Sequence, residues 1–265
     1  MERELQECFQ KAHCIVVNSF EQLEGGAFKA LSARVNLPIL GVGPLVEPLE
    51  EECITNLWKE DEACMPWLDQ QPPLSVLYIS FGSVTLLSPS QFEEIVNGLL
   101  ASQQRFLWVL RPDLVEATHD SGKRTLDLLL QTQGRGLIVD WVPQLRLLGH
   151  PAISGFLTHC GWNSTTEAIY HGVPLLCWPY FADQYLDAKF IVEQWKIGLR
   201  FNKNNERGLI ERGEITRVIK AVMEGEEGKI LQENARKLKE ASYQALSPQG
   251  TSYKSVQALL RSLNV

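Results

Sequence analysis

Two hydrophobic patterns alternate along most of this chain. Short, nearly unbroken apolar runs at residues 14–17, 38–40, 74–81, 106–110, 137–139, 156–158, 173–178 and 198–201 have the length and composition of strands buried on both faces of a parallel sheet. Between them, apolar residues recur at helical spacing. Phe92, Ile95, Val96, Leu99 and Leu100 mark one such face, and Leu5, Phe9 and Ala12 another. Helices are likewise predicted over 21–33, 144–148, 183–195, 215–223, 229–246 and 251–263, while 111–133 reads as a loop with one short helix. Strands and helices in alternation, joined by short links and without internal repeats, predict an α/β fold built on a doubly wound parallel sheet.

Local start signals sharpen two of the helices. Ser88, Pro89 and Gln91 combine a cap, a first-turn proline and the glutamine of a capping box. Residues 156–167 run from a strand through the turn Cys160-Gly161-Trp162 into a helix, where Asn163 or Ser164 is a natural N-cap and Ser164-Thr-Thr-Glu167 fits a capping box. Gly172 ends that helix. A helix start at the carboxyl end of a parallel strand presents N–H groups and a positive dipole end, an arrangement suited to phosphate. The next strand delivers a second polar cluster, ending in Asp183 and Gln184, to the same rim, where open α/β sheets bind ligands.

Composition narrows the classes. The 265 residues are 45% hydrophobic and 22% charged, ordinary for a globular chain able to bury a sizeable core. A net charge of −7 excludes a broad basic surface for nucleic acid or anionic lipid, so an anionic ligand has to be met by helix ends and a few donors. The six cysteines, at 8, 14, 53, 64, 160 and 177, form no CxxC pair and read as reduced thiols of a cytoplasmic protein. Cys160 and His171 match no zinc spacing, so no metal site is expected. No apolar run approaches the roughly 20 residues of a membrane span, and the start at Met1 does not read as a signal peptide.

The 44 residues 141–184 contain Trp141-Val-Pro-Gln144, His159-Cys-Gly-Trp-Asn-Ser164, Glu167, Gly172-Val-Pro174 and Asp183-Gln184 without a gap. In residue types, spacing and length this segment resembles the signature box of the plant secondary-product UDP-glycosyltransferases, family 1 enzymes of the GT-B fold. Thr166 departs from it, standing where the family usually carries an apolar residue. The resemblance implies a Rossmann-like domain that takes a UDP-sugar, UDP-glucose in particular, as co-substrate rather than cofactor. It also implies a role for each matching residue. The Trp141 ring stacks on uracil, the Val142 backbone meets the uracil edge, and Gln144 and Glu167 contact the ribose. His159, Asn163 and Ser164 donate to the phosphates, joined by Ser83 from the opposite loop. Trp162 walls the sugar pocket, and Asp183 and Gln184 hold the sugar hydroxyls. For Glu167 the capping box, for Asp183 an N-cap and for Trp162 plain packing are competing readings from the residues themselves.

The resemblance extends over the whole chain but answers to the second half of a full enzyme. Residues 1–45 resemble the end of an amino-terminal, acceptor-binding domain, 46–70 an interdomain linker rich in Glu, and 71–265 the UDP-sugar-binding domain. The family's reaction is inverting transfer of the sugar to a hydroxyl of a small lipophilic acceptor, with a histidine of the amino-terminal domain as base. None of His13, His119 and His150 lies in a matching motif, so no catalytic residue is named and the chain alone is expected to be inactive in transfer. The alternative is a non-catalytic UDP-sugar-binding module. The expected partners are the UDP-sugar, the small-molecule acceptor of an intact enzyme and the missing amino-terminal domain, with no nucleic acid and no membrane.

Overall fold

The computed structural model describes residues 11–46, 61, 63–111, 127, 132, 134–204 and 208–263. The helix expected at the start of the chain, most of the acidic linker and most of the 111–133 loop lie outside the described residues. The chain divides into two compact units, one of Met1–Pro48 with Lys237–Val265 and one of Leu49–Arg236.

In the smaller unit, β1 (Ile15–Val17) pairs in parallel with β2 (Ile39–Gly41) across α1 (Glu21–Val35). Helix α1 ends where Asn36 adopts the left-handed conformation and its N–H reaches the carbonyl of Ser32. A side chain at Gly41 would strike the buried Phe28 ring at 2.7 Å, so the strand and helix approach as closely as they do only with glycine there.

The larger unit runs in the order α2 (Cys64–Asp69), β3 (Val76–Ser80), α3 (Pro89–Ser102), β4 (Arg105–Val109), β5 (Gly136–Val139), α4 (Gln144–Leu148), β6 (Ile153–Thr158), α5 (Trp162–His171), β7 (Leu175–Cys177), α6 (Gln184–Lys189), a π-helical turn (Phe190–Gln194), β8 (Gly198–Arg200) and α7 (Arg212–Met223). Helix α8 (Glu226–Leu246) contributes its first part to this unit. Its remainder from Lys237 belongs to the smaller one, with α9 (Thr251–Ser262). The sequence reading assigned these last residues to the sugar-binding domain. The structure groups them with the first unit because α9 packs on β2, with the Ser252 hydroxyl donating to the Gly43 carbonyl.

Among the described residues the larger unit has six strands, all parallel, in the order β5–β4–β3–β6–β7–β8. The chain enters at β3, moves outward to β5, crosses back to β6 beside β3, and then moves outward the other way. This is the doubly wound sheet that the alternation predicts, and its topological switch lies between β3 and β6. Alternate residues of β3 face opposite layers. Leu77, Ile79 and Phe81 join Trp108, Leu157 and Leu176 in a core against α3 and α7. Tyr78 faces the other way and stacks on Phe156, ring centroids 4.5 Å apart.

Three local expectations are corrected. Ser88 does cap α3, accepting from the Gln91 N–H at 3.2 Å, but Gln91 does not complete a capping box. Its buried side chain instead pairs with both backbone groups of Ile210, at 2.9 and 3.0 Å. The single helix predicted over 183–195 is a short α-helix followed by a π turn, in which the Trp195 N–H reaches the Phe190 carbonyl and the two rings pack 5.6 Å apart. Helix α8 begins at Glu226 rather than 229. Gly228, in its first turn, passes so close to the Val222 carbonyl that a Cβ would fall 2.1 Å from it. Among the described residues no helix is long and apolar enough to cross a membrane.

The contact of α3 with α7 is close enough to be tested. A Cβ at Gly98 would lie 2.6 Å from Cγ2 of the fully buried Ile215 and 3.2 Å from the Arg212 carbonyl. Gly98→Val should lower stability by about 1–3 kcal/mol, since neither neighbour can swing aside. A urea unfolding curve with an unchanged midpoint would contradict this packing.

Candidate functional site

The carboxyl ends of β3 and β6 bring two loops together at the switch point. Beyond β3, Gly82 takes a positive φ of 71°, and a Cβ there would fall 2.6 Å from the His159 ring. A Cβ at Gly161 would fall 2.5 Å from Nε2 of the same ring. The imidazole is thus held between two bare backbones, and glycine is required on both sides. Cys160 carries the turn with φ of 65°, a left-handed conformation that a non-glycine residue adopts at a cost. The side chain of Thr158 accepts its N–H at 3.2 Å, which helps hold it there.

Helix α5 then starts one residue after Gly161, whose carbonyl accepts from Thr165 at 3.0 Å. No side chain caps this end. The capping box read from Ser164-Thr-Thr-Glu167 is therefore not formed. The helix begins earlier than that motif requires, and Glu167 sits a full turn in. The N–H groups of the first turn have no intrahelical acceptor, and the positive end of the helix dipole faces the strand ends. Thr166, the departure from the family pattern, is 2% exposed, and its hydroxyl is satisfied by the Asn163 carbonyl at 2.9 Å. Asn163 itself is exposed and Ser164 half-buried.

His159 is the second donor at this end. Its Nδ1 is buried and has no hydrogen-bond partner, a costly state for a polar atom unless something else meets it. Burial pushes the pKa of the ring down, and the charge of Asp183 works against that shift. Asp183 is exposed and does not cap α6 with its side chain, contrary to the N-cap reading. Its carbonyl instead accepts from Leu186 and Asp187 at 2.8 and 2.9 Å. Gln184, 4% exposed, turns its Oε1 to the N–H groups of Tyr180 and Phe181 at 2.8 and 3.1 Å. That carbonyl fixes the loop after β7 and leaves the amide NH2 as the group on offer.

A polar network lies beside the helix start. Gln144, at the start of α4, donates through Nε2 to Glu167 Oε2 at 2.7 Å and to Ser164 Oγ at 3.0 Å. Its Oε1 accepts from the Tyr78 hydroxyl at 2.9 Å. Burial holds the Glu167 carboxyl above the usual carboxylate range, with the Gln144 bond opposing the shift. Because the Ser164 oxygen accepts from Gln144, its own proton remains available. Trp141 and Val142 occupy the loop from β5 into α4, the tryptophan half-buried and the valine 4% exposed. Ser83 is exposed on the loop after β3, which Arg111 clamps through the carbonyls of Ser83 and Thr85. Trp162 packs on Trp195, centroids 6.2 Å apart.

The sequence reading thus selected residues that the structure brings to one rim. It missed Tyr78, Gly82 and Arg111. Tyr78 offered one signal, a lone hydroxyl in an otherwise apolar run, and Gly82 another, a glycine at a strand end. Among the described residues no group of three or more His, Cys, Asp or Glu is placed to hold a metal ion.

Comparison with known proteins decides the family. Residues 64–241 match the family model of UDP-glucoronosyl and UDP-glucosyl transferases. The chain belongs to this family. It is 40% identical over 262 residues to the 7-deoxyloganetin glucosyltransferase of Gardenia jasminoides, covering 96% of this chain and 53% of that protein. It superimposes with a TM-score of 0.82 and 38% identity on Phytolacca americana UGT2 complexed with UDP-2fluoro-glucose and pterostilbene, covering 95% of this chain and 53% of that one. The corresponding values for Os79 from O. sativa in complex with UDP are 0.85 and 32%, covering 96% and 56%. The chain spans about half the length of the curated relatives it matches. Its doubly wound sheet is that of the GT-B glycosyltransferases.

The electrostatics of His159 are open to direct test. Because the folded ring titrates below its ordinary value of 6.5, the native state binds fewer protons than the unfolded chain between those two values. The neutral ring's contribution to stability is present above pH 6.5 and is lost as pH falls toward the folded value. Asp183→Asn removes the opposing charge, so the His159 ring signals in an NMR titration should move to lower pH. Movement to higher pH would show that Asp183 does not act on this ring.

Proposed function

We propose that this chain is the UDP-sugar-binding part of an inverting glucosyltransferase that transfers the sugar to a hydroxyl of a small lipophilic acceptor. The observation that carries the reading is the uncapped start of α5 beside the buried, unpartnered Nδ1 of His159 at the switch between β3 and β6. A diphosphate satisfies both at once. It accepts from the ring, from the Asn163 and Ser164 N–H groups and from the Ser164 hydroxyl, with Ser83 approaching from the opposite loop.

The remaining residues dispose themselves along a nucleotide sugar. Trp141 stacks on the uracil, whose edge meets the Val142 backbone. Glu167 accepts from the ribose hydroxyls, bordered by Gln144, which steadies both Glu167 and Ser164. The sugar lies against Trp162, with Asp183 accepting from its hydroxyls and the Gln184 NH2 donating to them. The glucosyltransferase names of the relatives support glucose as that sugar. As the bond from the anomeric carbon to the diphosphate breaks, negative charge grows on the departing UDP. Donors fixed at that point stabilise the transition state more than the ground state.

The acceptor's proton has to be taken by a base outside these motifs. Acceptor and base therefore belong, in this reading, to an amino-terminal domain of which residues 1–45 are the end, joined by a linker at 46–70. UDP-sugar is the co-substrate, and neither cofactor nor metal is invoked. The free thiols of Cys14, Cys64, Cys160 and Cys177 accord with work in the cytoplasm.

Calorimetric titration with UDP checks the assignment. Trp141→Ala should weaken binding by roughly 1–3 kcal/mol through the lost stack. His159→Ala should weaken it by about 1.5–3 kcal/mol through the lost bond to a charged group. Full affinity in both variants would contradict the site.

A further inference from the structure

We infer that Tyr78 is a positioning residue for nucleotide binding: its hydroxyl fixes the Gln144 amide so that Glu167 presents a carboxylate oxygen to the ribose. This rests on the reading of the site as a UDP site and deepens it. No motif marks Tyr78. It lies 1% exposed in the middle of β3, on the face away from the α3 and α7 core.

The sense of the network follows from its chemistry. An ionised Glu167 can only accept, so the nitrogen of the Gln144 amide has to face it, at 2.7 Å. The amide oxygen then faces Tyr78, 2.9 Å away, and the phenol has to donate. Tyr78 always has that proton, because burial holds its pKa far above the usual phenol range, and a side-chain hydrogen bond from Ser80 only partly opposes this. The ring is itself locked, stacked on Phe156 at an interplanar angle of 23°. Both amide hydrogens of Gln144 are committed, one to Glu167 and one to Ser164. One side of the carboxylate is thereby tied to Gln144, and Oε1 is left for the ribose. The same amide holds the Ser164 oxygen as an acceptor and frees its proton for phosphate. Without the phenol hydroxyl, the buried Gln144 oxygen loses its donor, the amide shifts toward another donor, and its bonds to Glu167 and Ser164 loosen.

Tyr78→Phe removes only the hydroxyl and keeps the stacked ring. Two measurements on the purified chain test the inference. The first compares affinities for UDP and for 2′,3′-dideoxy-UDP, which lacks both ribose hydroxyls. The variant should bind UDP roughly three- to tenfold more weakly and bind the dideoxy nucleotide within about twofold of the wild type. The second follows the Glu167 carboxyl by 13C NMR without ligand. Its titration should move to higher pH in the variant, because the Gln144 bond that opposes the burial shift is loosened. Equal weakening of both nucleotides, or an unmoved Glu167 titration, would overturn the positioning role and leave Tyr78 as a core residue only. If the wild type binds neither nucleotide but Glu167 still responds to Tyr78→Phe, the network stands and the UDP reading falls.

Discussion

The larger unit depends on one close contact, an imidazole held between two glycine backbones where the sheet reverses its winding. Gly82 and Gly161 leave no space for a side chain beside His159, so the ends of β3 and β6 are locked around that ring. The start of α5 is left uncapped, two residues beyond a ring whose Nδ1 has no partner. Local stability is given up, and the resulting pocket of donors is suited to a doubly charged group.

The second determinant is a line of hydrogen bonds from the core to the rim. Tyr78, Gln144, Glu167 and Ser164 come from β3, α4 and α5, and each supplies what the next lacks. Gln184 does the same for the loop after β7, using its carbonyl to hold Tyr180 and Phe181. In both cases the amide oxygen is held by donors of the protein, which fixes the orientation of the NH2 group. This is the order of support expected where the geometry of a site must survive without its ligand.

Much of this was legible in the sequence for physical reasons. Strands buried on both faces, such as Val76–Ser80, must be continuously apolar, and helices such as Pro89–Ser102 must show a stripe, so the alternation and the doubly wound sheet follow from period alone. The rim residues were legible through the resemblance of residues 141–184 to the family's signature box, and only some of them, such as Ser83, Trp141 and His159, lie directly at a strand end. The capping boxes misled at both places where they were read. Glu167 lies a full turn inside α5, which begins before Ser164, whereas Gln91 does have the spacing for a local bond to its helix start. Each is instead recruited by a distant partner, Gln144 and Ile210, that only the folded chain brings near. The left-handed bend at Cys160 and the π turn before Trp195 were illegible for the same reason, since both are imposed by packing rather than by local preference. Tyr78 was hidden because an apolar run declares burial and says nothing of what its one hydroxyl meets.

A crystal structure of the chain soaked with UDP tests the central claim most directly. The account predicts the diphosphate at the start of α5, with an oxygen within hydrogen-bonding distance of the His159 ring and others on the Asn163 and Ser164 N–H groups, and the ribose on Glu167. A diphosphate bound elsewhere, or a His159 ring nitrogen still unpartnered with the nucleotide in place, would contradict it.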